Sequence, residues 1–135
     1  MNYSIEVIDK FCECIENDTT SCNWLKTNGF EELFILKDAV SRHTKALEYL
    51  MVNKHFILAA FVNAVWNDSK AFDVLMKNKA PHWAAVANFI NGDDDAGNWL
   101  KKNKLGHYAL LAEKIQAKIR KEGDQAVSIF NSPIK

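Results

Sequence analysis

The sequence predicts an all-α fold, an α-solenoid of about ten short helices, and three of its features predict this. The chain nearly repeats itself every 25 residues, as TSCNWLKTN, KALEYLMVN, KAFDVLMKN and DAGNWLKKN starting at residues 20, 45, 70 and 95. Within each row the apolar residues recur at spacings of three and four, the stripe of an amphipathic helix. Residues that start and stop helices stand at the same place in every row. Together these features predict a half repeat, four 25-residue helical hairpins and a capping helix.

The elements follow in order. Residues 4 to 16 place Ile8, Phe11 and Ile15 where later rows carry their second helix, so this segment reads as a lone cap helix. Four repeats follow, at residues 19–43, 44–68, 69–93 and 94–122. Each opens on Thr19, Thr44, Ser69 or Asp94, whose side-chain oxygen can accept from the free amides of a first turn, so these are the expected N-caps. The constant Leu25, Leu50, Leu75 and Leu100 then form a stripe with the residues four and one before them, giving a first helix of about eight residues. Asn28, Asn53, Asn78 and Asn103 close it, and Asn is the usual non-glycine choice for a left-handed C-cap.

The second helix of each row carries three apolar columns. They are Leu33, Leu58, Trp83 and Tyr108; Leu36, Phe61, Val86 and Leu111; and Val40, Val65, Ile90 and Ile115. Pro81 fits a first helical position, where its missing N–H costs nothing. In the fourth row the second helix runs on through AEKIQAKIRKEG, and Gly123 to Ala126 repeats the start signal of Gly92 to Ala96, which predicts a C-terminal cap at residues 124–131. Helices this short are marginal alone, so stacking on neighbours must supply their stability.

The bulk properties narrow the function classes. At 135 residues the chain fits one domain, residues 1–135. Seventeen basic and seventeen acidic residues cancel, so no global field attracts nucleic acid or an anionic membrane. The N-terminus is amphipathic and acidic rather than basic and apolar, and the longest apolar run is Phe56 to Val62, which points to a cytoplasmic protein. Cys12, Cys14 and Cys22 are odd in number and form no Cys-x-x-Cys pair, so they are expected as reduced thiols.

NGDDDAGNWLKKN is similar to the outer-helix signature of ankyrin repeats, a Gly-Asp turn before an Ala-x-x-x-Leu helix closed by Asn, and GHYALLAEKI resembles the inner helix that follows. The likeness spans most of the chain. An ankyrin unit has about 33 residues; here Asn103-Lys104-Leu105 replaces the family's β-hairpin finger, and the Thr-Pro-Leu-His motif is absent. The resemblance implies a finger-less, ankyrin-like solenoid that recognises protein on a concave face.

Chemistry-bearing constellations are sparse. His82 and His107 share one column in adjacent rows and could approach one ion, yet the sequence offers no third ligand in that column. Asp93-Asp94-Asp95 lacks the alternating acids and central Gly of a calcium loop and reads as helix capping. No phosphate loop or activated nucleophile is present, so the expectation is a non-enzyme with no catalytic residue, no metal and no cofactor. The side of the second helices opposite their apolar columns holds Phe56, Ala60, Asn63 and Trp66, then His82, Ala85 and Asn88, then His107 and Leu110. This is the expected partner-binding groove, with Phe56, Trp66 and Trp83 as anchors and Asn63 and Asn88 as hydrogen-bonders. The competing reading buries those helices all round, by their neighbours or by a homodimer partner.

The leading expectation is thus a non-enzymatic protein–protein interaction module, one version of which is an inhibitor or immunity-type protein. The alternatives are a metal- or ligand-binding sensor using His82 and His107, and a nucleic-acid-associated adaptor using Lys101, Lys102, Lys104 and the segment Lys114 to Lys121.

Overall fold

The computed structural model describes the backbone of residues 3–131 and the side chains of residues 3–123. The described residues form nine helices and no strand. The half repeat is α1 (Ile5–Ile15). Four hairpins follow: α2 (Thr19–Thr27) with α3 (Glu31–Ala39), α4 (Thr44–Val52) with α5 (Phe56–Val65), α6 (Ser69–Lys77) with α7 (Pro81–Ile90), and α8 (Asp94–Lys102) with α9 (Gly106–Asn131).

The turns explain why the repeat is only 25 residues long. At the end of each even-numbered helix the constant Asn is not left-handed, its φ lying between −89° and −104°. Instead its side-chain amide donates to the carbonyl four residues back, at 2.7–2.9 Å. The next residue turns left-handed: Gly29, Lys54, Lys79 and Lys104. The residue after that donates its N–H to the constant Leu, as in Phe30 to the Leu25 carbonyl at 2.9 Å, which completes a Schellman turn.

The odd-numbered helices α1, α3, α5 and α7 end the same way, on left-handed Asn17, Arg42, Asn67 and Gly92. Here the closing residue is also the next helix's N-cap: Asp18, His43, Asp68 and Asp93. The three aspartates accept from first-turn amides at 3.0–3.4 Å. The caps therefore stand one residue earlier than expected, and Thr19, Thr44, Ser69 and Asp94 are the first helical residues. One residue serving both helices leaves no room for a longer loop. At the C-terminus the expected separate helix at 124–131 is absent as such: α9 runs unbroken through Gly123 to Asn131. The helix-lengthening run before it needs no stop, and an interior Gly costs only about 1 kcal/mol; the side chains of residues 124–131 lie outside the described residues.

All three expected columns of the second helices are buried, none more than 8 % exposed, as are the four constant leucines at 0 %. Each such Leu removed from water is worth roughly 1.5–3 kcal/mol. The odd-numbered helices form a closed ring, because α1, α3, α5 and α7 each contact the next in the series and α9 returns to pack on α1. The even-numbered helices lie outside, each bridging its two chain neighbours, and no outer helix approaches another within 8 Å between Cα atoms. The leucines consequently do not touch as one continuous spine; each wedges its own outer helix between two ring helices.

Ring closure runs through the first described residue. Tyr3 donates its N–H to the Tyr108 hydroxyl at 3.0 Å and its own hydroxyl to Glu32 Oε2 at 2.9 Å. Its ring meets Phe30 and Trp83 edge-on. Burial, with the nearby Glu32 carboxylate, pushes the Tyr3 phenol up, so it stays a donor.

A second set of rungs ties row to row. Trp66 Nε1 donates to the Val40 carbonyl (3.1 Å), Asn91 Nδ2 to that of Ala64 (3.4 Å) and Gln116 Nε2 to that of Ile90 (2.9 Å). These donors stand 25 residues apart, and each satisfies a carbonyl near the end of the previous ring helix. The same column holds Glu16 and Ser41 in the earlier rows, and both are bound by α9: Lys114 pairs with Glu16 at 3.2 Å, and Lys118 donates to Ser41 Oγ at 2.6 Å.

Where a ring helix meets the outer helix that follows it, positions eight residues apart pair a small residue with a large one in three of the four rows. Phe89 lies against Gly97, where an added Cβ would come within 2.7 Å of the ring. The equivalent pairs are Ala39 with Leu47 and Ala64 with Phe72, and in the first row Cys14 with Cys22. That last pair is a disulfide, with Cα atoms 4.8 Å apart, which corrects the expectation of three reduced thiols. The register brings the two sulfurs together even though the cysteines lack a conventional motif. Cys12, two residues away, faces the core as a free thiol; burial and nearby Asp9 push it up to about 12.

Candidate interaction face

The residues at the C-terminal ends of the ring helices are polar, because turns and caps must be made there, while the ring interior is filled by Phe11, Phe61, Trp83 and Tyr108. α9, with 26 residues, is more than twice as long as any other ring helix, so it outruns the ring and lies across this end. Gln116 ties it to α7, Lys114 to the end of α1, and Lys118 with Glu122 to Ser41 after α3. Ser41 also donates to Glu122 at 2.8 Å. Burial raises the Glu122 carboxyl, but the bonds from Lys118 and Ser41 outweigh it and hold it below the usual carboxylate range.

The strut leaves hollows on both sides. One, of about 590 Å³, lies between α9 and the ends of α1 and α3, with Lys37, His43 and Lys121 on its walls. A second, of about 350 Å³, lies on the other flank of α9 against Trp66, Asn91 and Arg120. A third, of about 210 Å³, opens between α3 and α5 and includes Arg42, Asn63 and Trp66. His43 belongs to the first and third, Trp66 to the second and third, so the three hollows adjoin along this end of the ring, the first two against α9. The Arg42 guanidinium sits 4.6 Å from the Trp66 ring, covering its face.

The expected partner-binding residues do not make one groove. Trp66 and Asn63 reach the concave face. Phe56, 53 % exposed, lies at the other end, at the start of α5, and Leu110 is exposed on α9. Asn88 and His107 are half-buried. Ala60, Ala85 and His82 are buried, and every residue from His82 to Ala87 is covered, so α7 is enclosed by its neighbours. Closure of the ring is the physical reason: it turns the face that would line an open stack against adjacent helices. Trp83 is fully buried rather than an anchor, and its Nε1 has no hydrogen-bond partner among the described residues.

His82 and His107 both pack on Tyr108, with ring centroids 5.0 and 4.6 Å from it. Burial, opposed in part by Asp9, holds His107 below its ordinary range. Among the described residues no three His, Cys, Asp or Glu side chains gather as a metal set would. No helix among them is long and apolar enough to cross a membrane. No protein family, curated protein or solved structure matches the chain.

The column Glu16, Ser41, Trp66, Asn91 and Gln116 is what sequence reasoning missed. It recurs at the same 25-residue interval as the leucines, but its members share no chemical type. Their common task, bonding across the rows at the end of the ring, appears only when the rows are brought side by side.

Proposed function

We propose that the protein is a non-enzymatic protein–protein interaction module that holds its partner on the concave face around α9, at the end of the ring, instead of along the sides of the ring helices. The observation that carries this reading is that the three hollows adjoin, sharing His43 and Trp66 as lining residues. A surface of that extent, concave and edged with polar side chains, suits a protein segment better than a small ligand, whose sites are enclosed and mostly apolar. The ankyrin-like character of NGDDDAGNWLKKN supports protein recognition as well, and an inhibitor or immunity-type role is one form of it. A cytoplasmic setting belongs to the same proposal.

The test is parallel affinity capture from the native cell extract with the wild-type chain, Ala117→Arg, Asn63→Arg and Phe56→Arg. Ala117 and Asn63 line the concave face, and Phe56 lies at the opposite end. A protein held by the wild type and by Phe56→Arg but lost from Ala117→Arg and Asn63→Arg is the expected result. Loss with Phe56→Arg alone would move the site to the other end of the ring.

A further inference from the structure

We propose that the segment held on this face is acidic: a carboxylate-rich stretch of the partner polypeptide that threads between α9 and the ends of α1, α3 and α5. The inference rests on the interaction reading above and adds the chemistry of the partner. Six lysine and arginine side chains line the three hollows, namely Lys37, Arg42, Lys114, Lys118, Arg120 and Lys121. Among the described residues three carboxylates do, Glu16, Asp38 and Glu122, which leaves three positive charges in excess there on a chain whose formal net charge is zero. Two of those carboxylates are already engaged, Glu16 by Lys114 at 3.2 Å and Glu122 by Lys118 at 2.7 Å.

Lys37, Arg120 and Lys121 have no ion-pair partner among the described residues. Lys37 and Lys121 line the hollow of about 590 Å³ and Arg120 the one on the opposite flank of α9. Concave, partly shielded cations of this kind raise the local concentration of an anionic partner and speed its capture.

Polypeptide is favoured over nucleic acid by two features. Single-stranded nucleic acid needs open aromatic faces for its bases, and the Trp66 indole, the large aromatic ring among the described residues that line these hollows, has its face taken by Arg42. A phosphate backbone carries a charge at every step, whereas Asp38, Glu16 and Glu122 interrupt the cationic track, which a peptide with spaced carboxylates can accommodate.

The experiment uses the full chain, a fluorescent oligoglutamate peptide, and oligolysine and oligouridylate of matched length as comparators, read by anisotropy. Oligoglutamate is expected to bind and to weaken as ionic strength rises from about 0.05 to 0.15 M. The double reversal Lys37→Glu/Lys121→Glu should cut that binding about ten-fold or more. Lys101→Glu/Lys102→Glu, on α8 away from the hollows, should leave it unchanged, with circular dichroism confirming that both variants fold. Equal loss in the two variants, or no oligoglutamate binding at all, overturns the acidic assignment. Tighter binding of oligouridylate with the same sensitivity to Lys37 and Lys121 overturns it in favour of nucleic acid. If oligoglutamate fails while Ala117→Arg still loses a captured protein, the acidity falls and the interaction face stands.

Discussion

Phe89 and Gly97 face each other across the α7–α8 junction, where one hairpin meets the next, and exchanging their sizes probes the register on which every repeat depends. A Cβ at Gly97 would sit 2.7 Å from Phe89 Cζ and 2.8 Å from both Cε atoms, well inside the 3.5–4.0 Å of ordinary carbon contact. Gly97→Leu alone is therefore expected to destabilise by about 1–3 kcal/mol through overpacking, after a gain of about 1 kcal/mol in helix propensity. Phe89→Ala alone removes a half-buried ring, and about 2–3 kcal/mol is expected, below the range for fully buried aromatics. The double variant Phe89→Ala/Gly97→Leu recreates the Ala39–Leu47 pair of the α3–α4 junction. It should lie close to the wild type, with a coupling energy of about 2 kcal/mol or more. Urea denaturation of the four proteins gives the cycle directly. Single effects that add to within about 0.5 kcal/mol would mean that the two positions do not share a space, and the size-complementary pairing at these junctions would be wrong.

Three further outcomes are expected. The Cys14–Cys22 bridge closes a loop of sequence separation 8, so Cys14→Ser/Cys22→Ser should lose about 2–3 kcal/mol relative to the oxidised protein, while Cys14→Ala/Cys22→Leu, the pairing of the next row, should lose less; urea midpoints with and without reductant compare them. Lys79 holds a left-handed φ of 58°, and Lys79→Gly should raise stability by about 0.5–1 kcal/mol in the same assay, by relieving a side chain from a conformation that only glycine adopts freely. His107 is held below its ordinary 6.5 by burial, so the unfolded chain binds more protons and stability falls as pH drops through 6.5 toward the folded value; His107→Gln should flatten a thermal-midpoint profile in that window, and an unchanged slope would show that His107 is not responsible.

Much of the architecture was legible because a repeat writes each constraint several times. The leucines at 25, 50, 75 and 100 and the three columns of the second helices named the core residues correctly. Local competition between neighbouring residues was harder to read. Thr19 and Ser69 are good caps, but Asp18 and Asp68 one position earlier are at least as good and also close the preceding turn. The constant Asn suggested a left-handed residue, whereas its amide bonds four residues back and passes the left-handed turn to the next position.

Long-range closure left no periodic trace at all. Tyr3 and Tyr108 meet across 105 residues, and nothing local distinguishes an end that docks from an end that faces water. That one unseen contact is why residues expected to share a groove are separated, some covered and some moved to opposite ends. Part of the charge excess of the α9 face was legible as the segment Lys114 to Lys121, but Lys37 and Arg42 lie three rows away and join it only when the ring closes.

A linear stack can lengthen by duplicating a unit, because each copy meets only its two neighbours. Here the copy number is locked. A fifth hairpin inserted after α5 would prise α1 from α9 and pull the Tyr3 backbone off the Tyr108 hydroxyl, so variation in this architecture has to come by exchanging side chains at constant length.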